Sequence, residues 1–204
     1  MKVFVCRHGE TLLNLQGRSQ GAKDSALTEK GISQAEENAK VLETVSPAAI
    51  YCSPLGRAFA TAKIIAKPHN MESIPVDALS EINQGKFEGT TAEERKKLFA
   101  KEIAEIEKDK MNNPFPGGES FTLLKERLVP FVEMLKEKHS NDEVIVVTHR
   151  ACGRMLTVLL AGLSDNEFLK SDFLHYMIYK VELNGSPVLT YLMNGKTLEG
   201  LFLP

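Results

Sequence analysis

A short apolar run, Val3-Phe4-Val5-Cys6, stops abruptly at Arg7-His8-Gly9-Glu10-Thr11. A β-branched and aromatic run that ends in a basic pair and a glycine reads as a buried strand opening into a loop. In an open α/β sheet, ligands bind at the carboxyl ends of the strands. An imidazole there, beside a guanidinium and followed by a residue without a side chain, suits attack on a phosphoryl group. Taken alone, the pentapeptide is equally compatible with an ordinary strand end carrying a satisfied histidine.

The rest of the chain alternates strand and helix patterns, which argues for a mostly parallel central sheet covered on both faces, a three-layer α/β/α sandwich. A polar, glycine-containing loop runs from Gly9 to about Leu27. Thr28 caps a helix whose stripe is Ile32, Ala35, Ala39 and Leu42. Ala49 to Cys52 is a short strand, and Ser53-Pro54 reads as a serine N-cap with proline at the first helical position. Ser73 to Leu79 is a third strand pattern, placed at an edge by Pro75. Thr91 to Lys108 is a charged helix, ended by the Asn112–Gly118 loop. Ser120 to Lys138 is a long amphipathic helix with an expected kink at Pro130. Glu143 to Thr148 is the clearest central strand. Helices follow over Arg150–Ala161 and Asp165–Lys170, then a hairpin of Met177–Leu183 and Val188–Met193 around Asn184-Gly185.

A chain of 204 residues is long enough for one domain with a sizeable core. A formal net charge of −2 offers no general attraction for nucleic acid or an anionic membrane, so any affinity for phosphate is local. No apolar stretch approaches a bilayer span, and Arg7-His8 interrupts the amino-terminal run too early for a signal peptide. A cytoplasmic protein is expected. Cys6, Cys52 and Cys152 are scattered and outside CxxC spacing, so buried reduced thiols are expected rather than disulfides or zinc.

Four strand ends carry chemistry on one side of this sheet. His8 follows the first strand, Arg57 lies in the first turn of the helix after the second, Glu81 follows the third, and His149 follows the fourth. The chain resembles the histidine phosphatase superfamily, the phosphoglycerate-mutase-like group. The resemblance rests on Arg7-His8-Gly9-Glu10-Thr11 with Asn14, Gly17-Arg18, Gln20-Gly21, Asp24-Ser25 and Leu27-Thr28-Glu29-Lys30-Gly31. It continues through Ser53-Pro54-Leu55-Gly56-Arg57-Ala58, Thr61-Ala62, Glu81, Gly85-Lys86-Phe87-Glu88-Gly89, Gly117-Gly118-Glu119-Ser120 and Thr148-His149.

The resemblance implies a phosphatase without metal or other cofactor, acting on a small phosphorylated metabolite. His8 would be the nucleophile, with its other ring nitrogen held by an acceptor such as a backbone carbonyl. Arg7, Arg57 and His149 would hold the phosphoryl oxygens, and Glu81 would act as general acid and base. Asn14, Gln20 and Gly21 would line the substrate side. The domain would span 1–204, with a lid and much of the substrate pocket at about 90–119; a homodimer stays open. His69, His139 and His175 match nothing and are expected at the surface or in structural roles. Lys96, Lys97 and Lys101 are expected on a solvated helix face. Arg150 and Leu13 depart from the family pattern, and Arg150 either crowds the phosphate or adds charge to its pocket. Three rivals are a phosphoglycerate mutase, a Cys52 nucleophile in a tyrosine-phosphatase-like loop, and a module that binds phospho-ligands without turning them over.

Overall fold

The computed structural model describes all 204 residues, Met1–Pro204. Its strands are β1 (Lys2–Arg7), β2 (Pro47–Cys52), β3 (Ile74–Pro75), β4 (Glu143–Thr148), β5 (Ile178–Glu182), β6 (Val188–Met193) and β7 (Lys196–Glu199). They form one sheet in the order β3-β2-β4-β1-β5-β6-β7. The β3, β2, β4 and β1 strands run parallel, and β5 to β7 close the sheet as an antiparallel meander.

The helices are α1 (Leu12–Leu15), α2 (Glu29–Leu42), α3 (Gly56–Ala66), α4 (Ala92–Leu98), α5 (Ala100–Lys108), α6 (Phe121–Lys138), α7 (Arg150–Ala161) and α8 (Asp165–Lys170). Strand side chains alternate between faces, and both faces are covered. Val3, Val5, Tyr51, Val144 and Val146 pack with residues of α6 and α7, including Leu128, Leu135, Met155 and Leu156. Phe4, Cys6, Ile50, Cys52, Ile145 and Val147 pack with Ala39 and Leu42 of α2 and Ala62 and Ile65 of α3. Double-sided burial is why β1 and β4 are continuous apolar runs rather than alternating ones.

Several local readings change. The third strand shrinks to Ile74–Pro75, because Pro75 offers no N–H and the chain turns at once into a 3₁₀ turn over Asp77–Leu79. The Thr91–Lys108 helix is two helices, broken at Phe99 (φ −132°, ψ 34°), whose ring packs against Phe87 at 5.4 Å. The polar loop after β1 contains α1, closed by a capping box between Thr11 and Asn14. α6 continues through Pro130, which lies on its exposed side. The serine-cap reading of Ser53 fails: α3 begins at Gly56 with Leu55 as a cap that makes no side-chain bond. β7 is an addition. A second Asn-Gly pair, Asn194 (φ 52°) and Gly195 (φ 71°), takes the two left-handed positions that a tight hairpin requires.

Candidate active site

The register of the three central strands assembles the site. Arg7 pairs with Thr148 across β1 and β4, and Cys52 pairs with Val147 across β2 and β4. The ladder runs one residue further: His8 N donates to Thr148 O at 2.9 Å, and Ser53 N to Val147 O at 3.0 Å. His8, His149 and Ser53 therefore leave three neighbouring strands side by side. The two imidazole centroids are 5.1 Å apart. Above them lies a cavity of about 200 Å³ lined by no hydrophobic residue.

His8 is 3% exposed. Its Nδ1 is 2.7 Å from Gly9 O, which can only accept, so the ring proton sits on Nδ1. Nε2 is left as an acceptor, and Arg57 Nε donates to it at 3.3 Å. Burial, then the nearby charges of His149, Arg7 and Arg57, hold the imidazole pKa well below its ordinary value. The ring is neutral at pH 7. Gly9 is required by close approach: a Cβ there would collide with Gly31 O at the start of α2.

Arg57 is 1% exposed and held on every side. Its Nη1 donates to Lys23 O (2.7 Å) and Asp24 Oδ1 (3.0 Å), and its Nη2 to Gly21 O (2.8 Å). Gly21 turns at φ +55°, and a Cβ there would run into the Glu88 carboxylate. Asp24 Oδ1 also accepts from Arg57 N at 3.3 Å, so the amino end of α3 is filled by a carboxylate rather than open to phosphate. Arg7 Nη1 donates to Phe173 O at 2.7 Å, while its Nε is buried with no acceptor in the protein. Burial brings its pKa down to about 10, which leaves it cationic at neutral pH.

His149 is fully buried, and its Nε2 lies 2.8 Å from Ser53 Oγ. Ser53 Oγ also accepts from Leu55 N at 3.2 Å, and His149 Nε2 is the acceptor within reach of its hydroxyl proton. That assignment puts the His149 proton on Nδ1, the buried atom that lacks a partner. Burial and the charges of Arg57 and Arg7 hold this imidazole pKa well below normal too. Glu81 lines the cavity with its carboxylate pinned at the amino end of α7. Ala151 N donates to Oε2 (3.1 Å), and Cys152 N and Ile82 N donate to Oε1 (both 3.0 Å). Asn14, Gln20 and Gly21 also line the cavity. Asn14 Oδ1 accepts from Thr11 N and Gln20 Oε1 from Ser25 Oγ, which leaves both amide groups directed by α1 and its loop.

The structure thus puts Arg7, His8, Asn14, Gln20, Gly21, Arg57 and Glu81 in the cavity lining, with His149 buried beside His8 rather than in that lining, and adds several more residues. Ser53 behind His149 is new. His175 is not a surface residue: it is half-buried, its ring centroid is 5.3 Å from that of His8, and its Nδ1 bonds His8 O at 2.6 Å. Burial, followed by the charge of Arg7, pushes its pKa down to about 4. His139 is structural, bonding Tyr51 Oη (3.0 Å) and Asp142 (2.9 Å). Arg150 does line the cavity, but its charge is matched by a two-pronged bond to Asp172 at 2.6 and 2.8 Å. Of residues 90–119 only Arg95 reaches the cavity; Lys96, Lys97 and Lys101 are exposed elsewhere. No sequence signal separates Arg95 from those lysines, because α4 is tethered by Thr91 and Glu94 to Arg18, a residue more than 70 positions earlier.

The cysteine alternative loses its chemistry. Burial raises the Cys52 thiol above its ordinary value, so little thiolate forms at neutral pH. No three His, Cys, Asp or Glu side chains converge as a metal site, and no helix is long and apolar enough to cross a membrane.

The chain is similar to several known proteins. Phosphoserine phosphatase 1 of Hydrogenobacter thermophilus is 33% identical over 168 residues, covering 82% of this chain and 80% of that protein. 6-phosphofructo-2-kinase/fructose-2,6-bisphosphatase 1 of Mus musculus is 32% identical over 98% of this chain, which spans only 40% of that protein's length. The crystal structure of the α-ribazole phosphatase from Shigella flexneri superposes with a TM-score of 0.84 at 22% identity, over 100% of this chain and 96% of that one, a likeness of fold. The sequence model of the histidine phosphatase superfamily (branch 1) matches residues 3–194, which include all the strand ends that build the cavity. By that match and by the first of these relatives, the chain belongs to the histidine phosphatase superfamily, branch 1.

Proposed function

We propose that this phosphoric monoester hydrolase works through a phosphohistidine formed on His8 Nε2. The observation that carries the reading is the proton count on His8, a lining residue of the cavity: Nδ1 is committed to Gly9 O, and Nε2 keeps a lone pair, which accepts from Arg57 Nε until phosphorus takes it over. Two buried donors without protein acceptors, Arg7 Nε and His149 Nδ1, support it further. Phosphoryl oxygens would satisfy both, and a buried polar group without a partner costs about 1–3 kcal/mol.

In the first step the Nε2 lone pair forms an N–P bond while the P–O ester bond breaks, and Glu81 supplies the proton that turns the departing alkoxide into an alcohol. Arg7 and Arg57 neutralise the charge spread over the three non-bridging oxygens, and the neutral His149 donates a hydrogen bond to them. In the second step water attacks phosphorus, Glu81 takes its proton, the N–P bond breaks, and phosphate leaves with His8 neutral again. Asn14, Gln20 and Gly21 border the alcohol side. The test is phosphate release from a panel of small phosphate esters, run beside 3-phosphoglycerate supplied with a bisphosphate primer. Release of phosphate from several esters supports the hydrolase; isomerisation of phosphoglycerate outpacing phosphate release replaces it with the mutase.

Ser53 is proposed as a positioning residue that sets the His149 proton on Nδ1. Ser53→Ala is expected to lower kcat by roughly 10–100-fold with little change in KM, the scale typical of removing such a supporting bond. Ser53→Thr, which restores the hydroxyl, should recover most of the loss. An alanine variant with wild-type kcat and an unchanged pH profile would remove Ser53 from the mechanism.

A further inference from the structure

Five arginines line the cavity: Arg7, Arg18, Arg57, Arg95 and Arg150. Three carry their own carboxylate. Arg18 is paired with Glu94 (2.8 and 3.2 Å), Arg57 with Asp24 (3.0 Å), and Arg150 with Asp172 (2.6 Å). Arg7 stands at the nucleophile and is already assigned to the phosphoryl group. Arg95 differs from all of these. It is half-buried, no carboxylate lies within ion-pair distance, its Nη1 donates only to Ser19 Oγ (3.0 Å), and its guanidinium rests over the Phe87 ring at 5.6 Å. Burial lowers its pKa with no opposing carboxylate to restore it.

The loop Ser19-Gln20-Gly21 ties this cation to the phosphate end of the cavity. Arg57 grips the loop at Gly21 O, and Arg95 grips it at Ser19 Oγ. Two residues of chain span at most ~7 Å, so the anchor points of the two guanidinium groups are one small molecule apart. The cavity is small for a ligand site, about 200 Å³, against the several hundred Å³ typical of pockets for larger ligands. None of its lining residues is hydrophobic, so no surface awaits a ring or an apolar chain.

We infer that the substrate is a short polar phosphomonoester bearing a second anionic group, a carboxylate or another phosphate, and that Arg95 receives that group. The inference rests on the phosphohistidine reading above. A half-buried cation without a counter-ion is costly alone and is compensated when an anion arrives. The exposed Lys96, Lys97 and Lys101 do not substitute for it, since they face solvent outside the cavity.

The test compares kcat/KM for phosphoserine and 3-phosphoglycerate (carboxylate), fructose 1,6-bisphosphate (second phosphate) and glycerol 3-phosphate (uncharged remainder) in the wild type, Arg95→Gln and Arg95→Lys. The wild type should favour at least one charged ester over glycerol 3-phosphate by about 10-fold or more, and Arg95→Gln should erase most of that ratio through KM. Arg95→Lys should fall between, because it keeps the charge but loses the fork. Which charged ester loses most distinguishes carboxylate from phosphate. A wild type that favours glycerol 3-phosphate, or a selectivity ratio untouched by Arg95→Gln, overturns this inference while leaving the phosphatase intact. Absence of turnover on every ester by folded protein overturns the phosphohistidine reading, and this inference with it.

Discussion

His8→Ala is expected to lower kcat by roughly 10⁴-fold or more, with folded protein still able to bind phosphate esters. Loss of a nucleophile that acts with its neighbours as one unit removes most of the chemical advantage of the site. Arg7, Arg57 and His149 stay in place in the variant, because their anchors are Phe173 O, the Gly21–Asp24 loop and Ser53. The remaining activity would be that of an electrostatic cradle without a group to accept phosphorus. A P–N bond survives alkali and breaks in acid, whereas a phosphoryl group on a carboxylate is lost in alkali, so brief alkaline quenching of the wild type with labelled ester should trap a phosphoryl group that acid then releases. The same experiment on His8→Ala should trap none. Cys52→Ser is the counterpart and should change kcat little, since that thiol is buried and held neutral. A His8→Ala protein that keeps a tenth of the wild-type kcat would leave the proposed mechanism without its centre.

Stability should fall steeply as pH drops from 7 to 5. His8, His149 and His175 all have folded-state pKa values depressed, first by burial and then by neighbouring positive charges. In the unfolded chain each titrates near 6.5. Below that value the unfolded state takes up protons that the folded site refuses. The stability present above pH 6.5 is therefore lost as pH falls from 6.5 toward the folded-state values, which for His175 lie at about 4. Linkage sets the slope at about 1.4 kcal/mol per pH unit between a histidine's unfolded and folded pKa values, which for His175 gives about 2 kcal/mol by pH 5. His8 and His149 lose stability in the same direction, since burial and the neighbouring cations hold both pKa values well below the unfolded one. Thermal melts of the wild type and of His149→Gln at the two pH values check it. The variant should show a smaller drop between pH 7 and 5, whatever its absolute Tm. Equal drops would mean that the site accepts these protons without cost.

The same burial bears on catalysis. With the His8 pKa held low, the nucleophile stays unprotonated through weakly acid pH, so an acid limb near 6.5 should be absent from the kcat profile. A limb near pH 6 in kcat/KM would then belong to the phosphate ester itself, whose second ionisation falls there.

Much of this site was legible in residue order alone. A strand buried on both faces has to be apolar throughout, so Val3–Cys6 and Val144–Val147 announced themselves, and the polar residues immediately after them could only be strand ends. His8, Arg57 and His149 were therefore placeable without coordinates, and Arg7 with them. Asn14, Gln20 and Gly21 came from resemblance rather than from pattern, because a loop has no periodicity to read. The third strand and the charged helix misled for opposite reasons. Pro75 ended pairing sooner than the β-rich run suggested, and the Phe87–Phe99 contact outweighed helix propensity at Phe99. β7 was signalled by Asn194-Gly195, in the same dipeptide that marked the preceding hairpin.

What depended on three dimensions was the pairing of groups far apart in the chain. Ser53 looked like a helix cap, a local role, yet its hydroxyl meets His149 from 96 residues away because β2 and β4 are neighbours. His175 looked uninvolved until β5, laid antiparallel beside β1, brought its loop against His8. The arginines are the sharpest case. Residue order shows neither that five arginines share one cavity nor that Asp24, Glu94 and Asp172 claim three of them and none claims Arg95. Periodicity and strand ends are properties of neighbours along the backbone, so the order of residues determined the fold and the reacting groups. Charge compensation and proton placement are properties of neighbours in space, and only the packed tertiary structure could decide them.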